Sequence, residues 1–122
     1  MAKWTEGRLK SFITSTIRSG FRRWPEKYEA LNKAKVGKRI NEATGRLAEH
    51  YKCAACRQEF TSKDVQVDHI DPVVPLTGFT TWDSFIERLF CSAKHLQVLC
   101  TTCHKRKTKE EAAERKQHKG KH

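Results

Sequence analysis

Two Cys-x-x-Cys pairs, Cys53-Ala54-Ala55-Cys56 and Cys100-Thr101-Thr102-Cys103, constrain this chain more than any other feature. Four thiols at that local spacing are the ligand set of a structural zinc ion. A chain of 122 residues buries a small core, and a bound metal is a common way to staple one. The 43 residues between the pairs, 57–99, exceed the interval of a simple zinc ribbon, so the clasp is expected to enclose a whole supersecondary unit. The start, Met1-Ala2-Lys3-Trp4-Thr5-Glu6, has no apolar leader segment, and no run approaches membrane-spanning length. A reducing cytoplasm is therefore the expected setting, where thiolates hold metal instead of pairing as disulfides. A redox role suits two such pairs less well, because no βαβ pattern surrounds them. The fifth cysteine, Cys91, follows Phe90 at the end of an apolar helical pattern and reads as a core thiol.

Charge is spread unevenly. The formal net charge of +11 divides into +7 over residues 1–50, −1 over 51–103 and +5 over 104–122. A near-neutral middle between two basic flanks points to arms that grip a polyanion around a central site. Too little contiguous apolar surface accompanies the basic stretches for an anionic membrane to be the partner.

Local patterns divide the chain further. Thr5 is expected to cap a helix with Leu9, Phe12, Ile13 and Ile17 on its apolar face, ending at Gly20. A second helix is expected to begin at Pro25 and close at Gly37, with Tyr28, Leu31 and Ala34 on one side. Asn41-Glu42-Ala43-Thr44-Gly45 reads as a turn, and residues 47–52 as an extended lead into the first thiols. Residues 65–70 alternate like a strand that Asp71-Pro72 breaks. Thr81 opens a short helix carrying Phe85, Ile86, Leu89 and Phe90, all expected to be buried. Residues 96–100 form a second strand, and Thr101 or Thr102 caps a last helix that frays near Gly120. The fold class is α+β, with a strand, inserted helix, strand and helix around the thiols. Three regions follow: a basic helical extension over 1–50, read as a DNA-binding arm; a zinc-stapled core over 51–108; and a basic helix end and tail over 109–122. His50, His118 and His122 read as linker and tail residues.

Within the core, Asp68-His69 ends the first strand and His104 directly follows the last thiol. Metal-assisted hydrolysis of a phosphodiester needs a base for water and ligands for a cation. His69 has the right pKa range for the base, and Asp68 and His104 are suitable ligands. Neighbours on a regular strand point to opposite faces, so a break near residues 70–72 would be needed for both side chains to address one phosphate. Lys105, Arg106 and Lys107 on the last helix, with Arg18, Arg22 and Arg23 on the first helix or just beyond it, are candidate phosphate contacts.

The run Asp68-His69-Ile70-Asp71-Pro72, followed by Leu96-Gln97-Val98-Leu99-Cys100-Thr101-Thr102-Cys103-His104-Lys105-Arg106-Lys107-Thr108, resembles the HNH endonucleases of the ββα-metal (His-Me finger) fold. The resemblance is greatest to the small free-standing HNH proteins of tailed bacteriophages. It covers residues 52–108 and implies DNA as substrate, His69 as general base, and Asp68 and His104 as ligands of a catalytic divalent ion such as Mg2+ or Mn2+. It further implies Cys53, Cys56, Cys100 and Cys103 as the ligands of a structural Zn2+, products with 5′-phosphate ends, and a monomer in the cytoplasm of an infected bacterial host. A role beside a phage packaging machine is compatible with it. One position departs from the pattern: His95 stands where the family has the asparagine that holds the loop and so orients the base, and an imidazole can replace its hydrogen bonds or be recruited as an extra metal ligand. The competing reading is a zinc-knuckle module that binds nucleic acid without cutting it, or a nuclease weakened at His95.

Overall fold

A computed structural model describes residues 4–119, a mixed α+β fold. Thr5 caps α1 (Glu6–Ser19) by accepting from the Arg8 amide at 3.2 Å, and Gly20 terminates it. A 3-10 turn (Gly20–Arg23) then leads to α2 (Pro25–Ala34), with Pro25 in the first turn. The helix stops at Ala34, short of the expected end at Gly37, because Lys35 already enters β1 (Lys35–Asn41). Gly37 instead sits at a bulge with φ of +115°, a conformation open to glycine.

The expected turn at 41–45 joins β1 to β2 (Arg46–Lys52) as an antiparallel hairpin, its backbone held by Asn41 Oδ1 accepting from the Ala43 amide. β3 (Glu59–Thr61), too short to announce itself by alternation, pairs with the far end of β2. His50 therefore lies buried inside a sheet rather than in a linker, and the division drawn after it runs through β2. A 3-10 turn (Ser62–Asp64) leads into β4 (Val65–His69), which pairs antiparallel with β5 (Leu96–Cys100) in a separate two-stranded sheet, Asp68 opposite Gln97 and His69 opposite Leu96. Between them lies α3 (Trp82–Leu89), capped by Thr81 as expected. α4 (Thr101–Lys119) follows β5 without a connecting residue.

Thr101 does not cap α4: it is already helical, and its hydroxyl donates to the Asp64 carbonyl. Gly120 and His122 lie outside the described residues. Among those residues no helix is long and apolar enough to cross a membrane.

Three small buried clusters hold the elements together. Phe85 and Leu89 of α3, each 2% exposed, pack on Val73 with Ile17 and Phe21 of the N-terminal segment around them. Ala30 of α2 meets Ala93 and Leu96, again with Phe21 alongside, and Cys91 joins the margin of this cluster half-buried. The thiols and Leu99 form the third. Residues 1–50 are thus not an arm apart from the core, since Ile17, Phe21 and Ala30 close two of its clusters. Leu9 and Phe12 of α1 and Ile86 of α3, expected on buried faces, point to solvent. Each helix meets its neighbour along a narrower stripe than its sequence offers.

Candidate functional site

The four thiols are gathered by two similar turns. In each, the first sulfur accepts from the amide three residues on: Cys53 Sγ from Cys56, and Cys100 Sγ from Cys103. The second turn opens α4, so the Cys100 sulfur takes the place of a capping oxygen. All four Sγ atoms lie within 4.8 Å of one another. Tetrahedral Zn–S bonds of about 2.3 Å place sulfurs about 3.8 Å apart, and Cys56 and Cys100 are 3.9 Å apart. The set fits a metal ion, consistent with structural zinc. Burial pushes the Cys53 thiol up, but backbone amides of Cys100, Cys56 and Ala55 outweigh it and bring it to about 6. The Cys100 thiol, followed by burial, drives Cys103 up to about 12. One thiolate in the cluster thus opposes the next, a conflict that a bound dication removes.

Asp68 and His69, adjacent at the end of β4, leave on opposite faces as strand geometry requires. Asp68 turns toward α4. Its Oδ1 lies 3.8 Å from His104 Nε2, while Oδ2 accepts from Gln97 Nε2 at 3.1 Å and from Lys107 Nζ at 3.0 Å. Lys107 also donates to the His69 carbonyl and to Glu111 Oε2, both at 2.9 Å. An ammonium has three donors, and all three are spent inside the protein. Lys107 accordingly turns inward instead of facing a phosphate, the role its place in a basic run suggests. It ties the carboxylate of one candidate residue to the backbone of the other.

His69 turns toward Phe21, ring centroids 4.7 Å apart, and toward the end of α3, where its Nε2 lies 2.8 Å from the Leu89 carbonyl oxygen. A carbonyl only accepts, so Nε2 carries the proton and Nδ1 keeps a free lone pair. Burial holds the His69 pKa below the usual histidine value, against the opposing pull of that carbonyl and of Asp68. The ring therefore stays neutral near pH 7.

Past His69 the chain is held by main-chain and arginine contacts. The Ile70 amide donates to the His95 carbonyl at 3.0 Å, so at this position the backbone ties the strand end, while the His95 side chain is exposed in a cleft with Asp71, Glu87, Arg88 and Cys91. Arg88 donates to the carbonyls of Pro72 and Val73, and Arg115 to those of Val74 and Pro75. Sequence reasoning missed Gln97, Glu111, Arg88, Arg115 and the Leu89 carbonyl, because no local pattern tells which acceptor a side chain will meet.

The remaining basic candidates separate. Arg18 lies over the Phe85 ring at 5.6 Å and makes no ion pair among the described residues. Burial, then repulsion from Arg115, lowers its pKa, and its charge is felt at His69. Arg22 bonds the Ser19 carbonyl, Arg23 is exposed, Lys105 is exposed, and Arg106 gives one nitrogen to Cys103 Sγ at 3.3 Å. No protein-family model matches the chain, and neither does any curated protein or solved structure.

Proposed function

We propose that the chain is a divalent-metal-dependent endonuclease of the HNH type that hydrolyses phosphodiester bonds in DNA. One observation carries the reading: a neutral histidine with Nδ1 free, His69, is bonded through its own carbonyl to a lysine that also holds Asp68. Lys107 thereby fixes the carboxylate relative to the backbone of the base. Because the two side chains leave β4 on opposite faces, the reading requires the scissile phosphate to sit at the strand end, where both faces can be approached. In this reading His69 Nδ1 takes the proton of the attacking water. Arg18, whose charge is felt at His69 and which makes no ion pair among the described residues, faces the anionic substrate.

Asp68 Oδ1 and His104 Nε2 would hold the catalytic ion. Their 3.8 Å separation is within the span of two metal–ligand bonds of about 2.1 Å. Two protein ligands leave the other positions to water and phosphate oxygens, the habit of Mg2+ in phosphoryl chemistry. When bound, the ion would stabilise the charge developing on the leaving oxygen.

The test is nicking of supercoiled plasmid by zinc-loaded protein, with Mg2+, Mn2+, Ni2+ or Zn2+ supplied in turn, beside His69→Ala and His95→Asn. Metal-dependent nicking lost in His69→Ala is expected. Because the loop tie uses the His95 backbone, His95→Asn is expected to change the rate less than tenfold. A second reading, a zinc-stapled nucleic-acid-binding module that does not cut, is favoured by Lys107 already neutralising Asp68. DNA binding without nicking under any of the four ions would establish it.

A further inference from the structure

β3 pairs only with residues 50–52 of β2, so the rest of the β1–β2 hairpin continues as a two-stranded ribbon. Opposite residues in an antiparallel pair share a face. Ile40 and Leu47 are such a pair, next to the turn, and are 63% and 67% exposed, the highest values among the large hydrophobic side chains described. Lys38, opposite Glu49, shares their face. Arg39 and Arg46 lie on the reverse face, both exposed, Arg39 in an exposed pair with Glu59 at 3.2 Å. Lys35 and Lys52 are exposed at the base. The hairpin thus holds five basic residues against Glu42 and Glu49.

A ribbon with a free edge and an exposed apolar pair is a liability that natural sheets avoid unless it is used. Net positive charge around that pair argues against a hydrophobic protein surface as its partner and for a polyanion. The major groove of B-DNA admits a two-stranded β-ribbon.

We propose that the β1–β2 hairpin is a groove-binding arm for duplex DNA. Ile40 and Leu47 lie against base edges, where apolar contact with thymine methyl groups is available, and Lys38, Arg39 and Arg46 reach the flanking phosphates. The arm serves the nuclease reading by fixing the duplex, but it requires only that duplex DNA is the partner.

The experiment is fluorescence anisotropy of the full zinc-loaded chain with a 20-base-pair duplex over a range of salt, without added catalytic ion, for wild type, Ile40→Ser/Leu47→Ser and Lys38→Ala/Arg39→Ala/Arg46→Ala. Zinc content and circular dichroism check that each variant folds. The triple variant is expected to lower the slope of log affinity against log salt by about 2 to 3, at roughly 0.9 for each phosphate it no longer neutralises. The apolar double variant is expected to lose about tenfold in affinity with the slope unchanged, as suits a few methylene groups left in water. Wild-type affinity and slope in both variants would overturn the proposal. So would a wild-type dimer in sedimentation equilibrium that the apolar double variant abolishes without loss of DNA binding, since the pair would then join two copies. The same proteins in the plasmid assay separate the two claims. Variants that bind and nick like wild type would remove the arm and leave the nuclease, whereas ribbon-dependent binding without nicking would do the reverse.

Discussion

Replacing Lys107 by methionine keeps most of its aliphatic stem and removes the three hydrogen bonds and the charge that join Asp68, the His69 carbonyl and Glu111. The Lys107 and Asp68 side chains are 22% and 12% exposed. An exposed ion pair is worth about 0 to 1 kcal/mol, and removing one partner of a fully buried pair costs about 3 to 5 kcal/mol. This pair is closer to the second case but keeps some water, and Asp68 retains Gln97, so a loss of about 2 to 3 kcal/mol is expected. For a domain of this size that lowers the melting temperature by roughly 8 to 12 °C. The assay is thermal unfolding followed by circular dichroism, at fixed free zinc and with reductant, because bound metal itself shifts the transition. The loss should persist in 0.5 M salt, since a mostly buried pair is weakly screened. Glu111→Gln, which leaves the two inner bonds intact, should cost under about 1 kcal/mol. A Lys107→Met effect below about 0.5 kcal/mol, or one that salt abolishes, would refute the view that this lysine organises the site.

Zinc stripped by a strong chelator, or lost through Cys53→Ser, should unfold the chain: structural zinc contributes about 10 to 16 kcal/mol in zinc-finger peptides, comparable to the whole stability of a small domain. Circular dichroism of the treated protein checks this, and a native spectrum without metal would contradict it. Phe85→Ala, at a side chain 2% exposed, should cost about 3 to 5 kcal/mol in urea unfolding; a cost under 1 kcal/mol would mean that the site collapses freely. Burial holds the folded-state pKa of His69 below its unfolded value near 6.5. The unfolded chain therefore binds the proton first, and stability contributed by neutral His69 falls as pH drops through about 6.5, levelling off below the folded pKa. Urea unfolding of wild type and His69→Gln should differ less at pH 5.5 than at pH 7.5, and a constant difference would count against burial as the cause.

Much of this protein is written in short stretches of its sequence. The thiol pairs state their ligand chemistry by spacing, and Thr5, Pro25 and Thr81 mark helix starts because capping and ring geometry act within one turn. Alternation located β4, whose successive side chains leave on opposite faces, and residues 96–100 are a strand as expected. β1 escaped, because its bulge at Gly37 disturbs that period and Gly37 reads locally as a helix stop. Other features depend on segments distant in the chain. His69 meets the carbonyl of Leu89, 20 residues on, and Lys107 reaches back 38 residues to the carbonyl of His69. Those bonds set the tautomer of one residue and turn the other inward. Residue type and spacing thus determined which chemistry this chain can carry and where its main elements begin. Only the tertiary structure decided which donor faces which acceptor, because that depends on how separate elements pack, and no local preference encodes it.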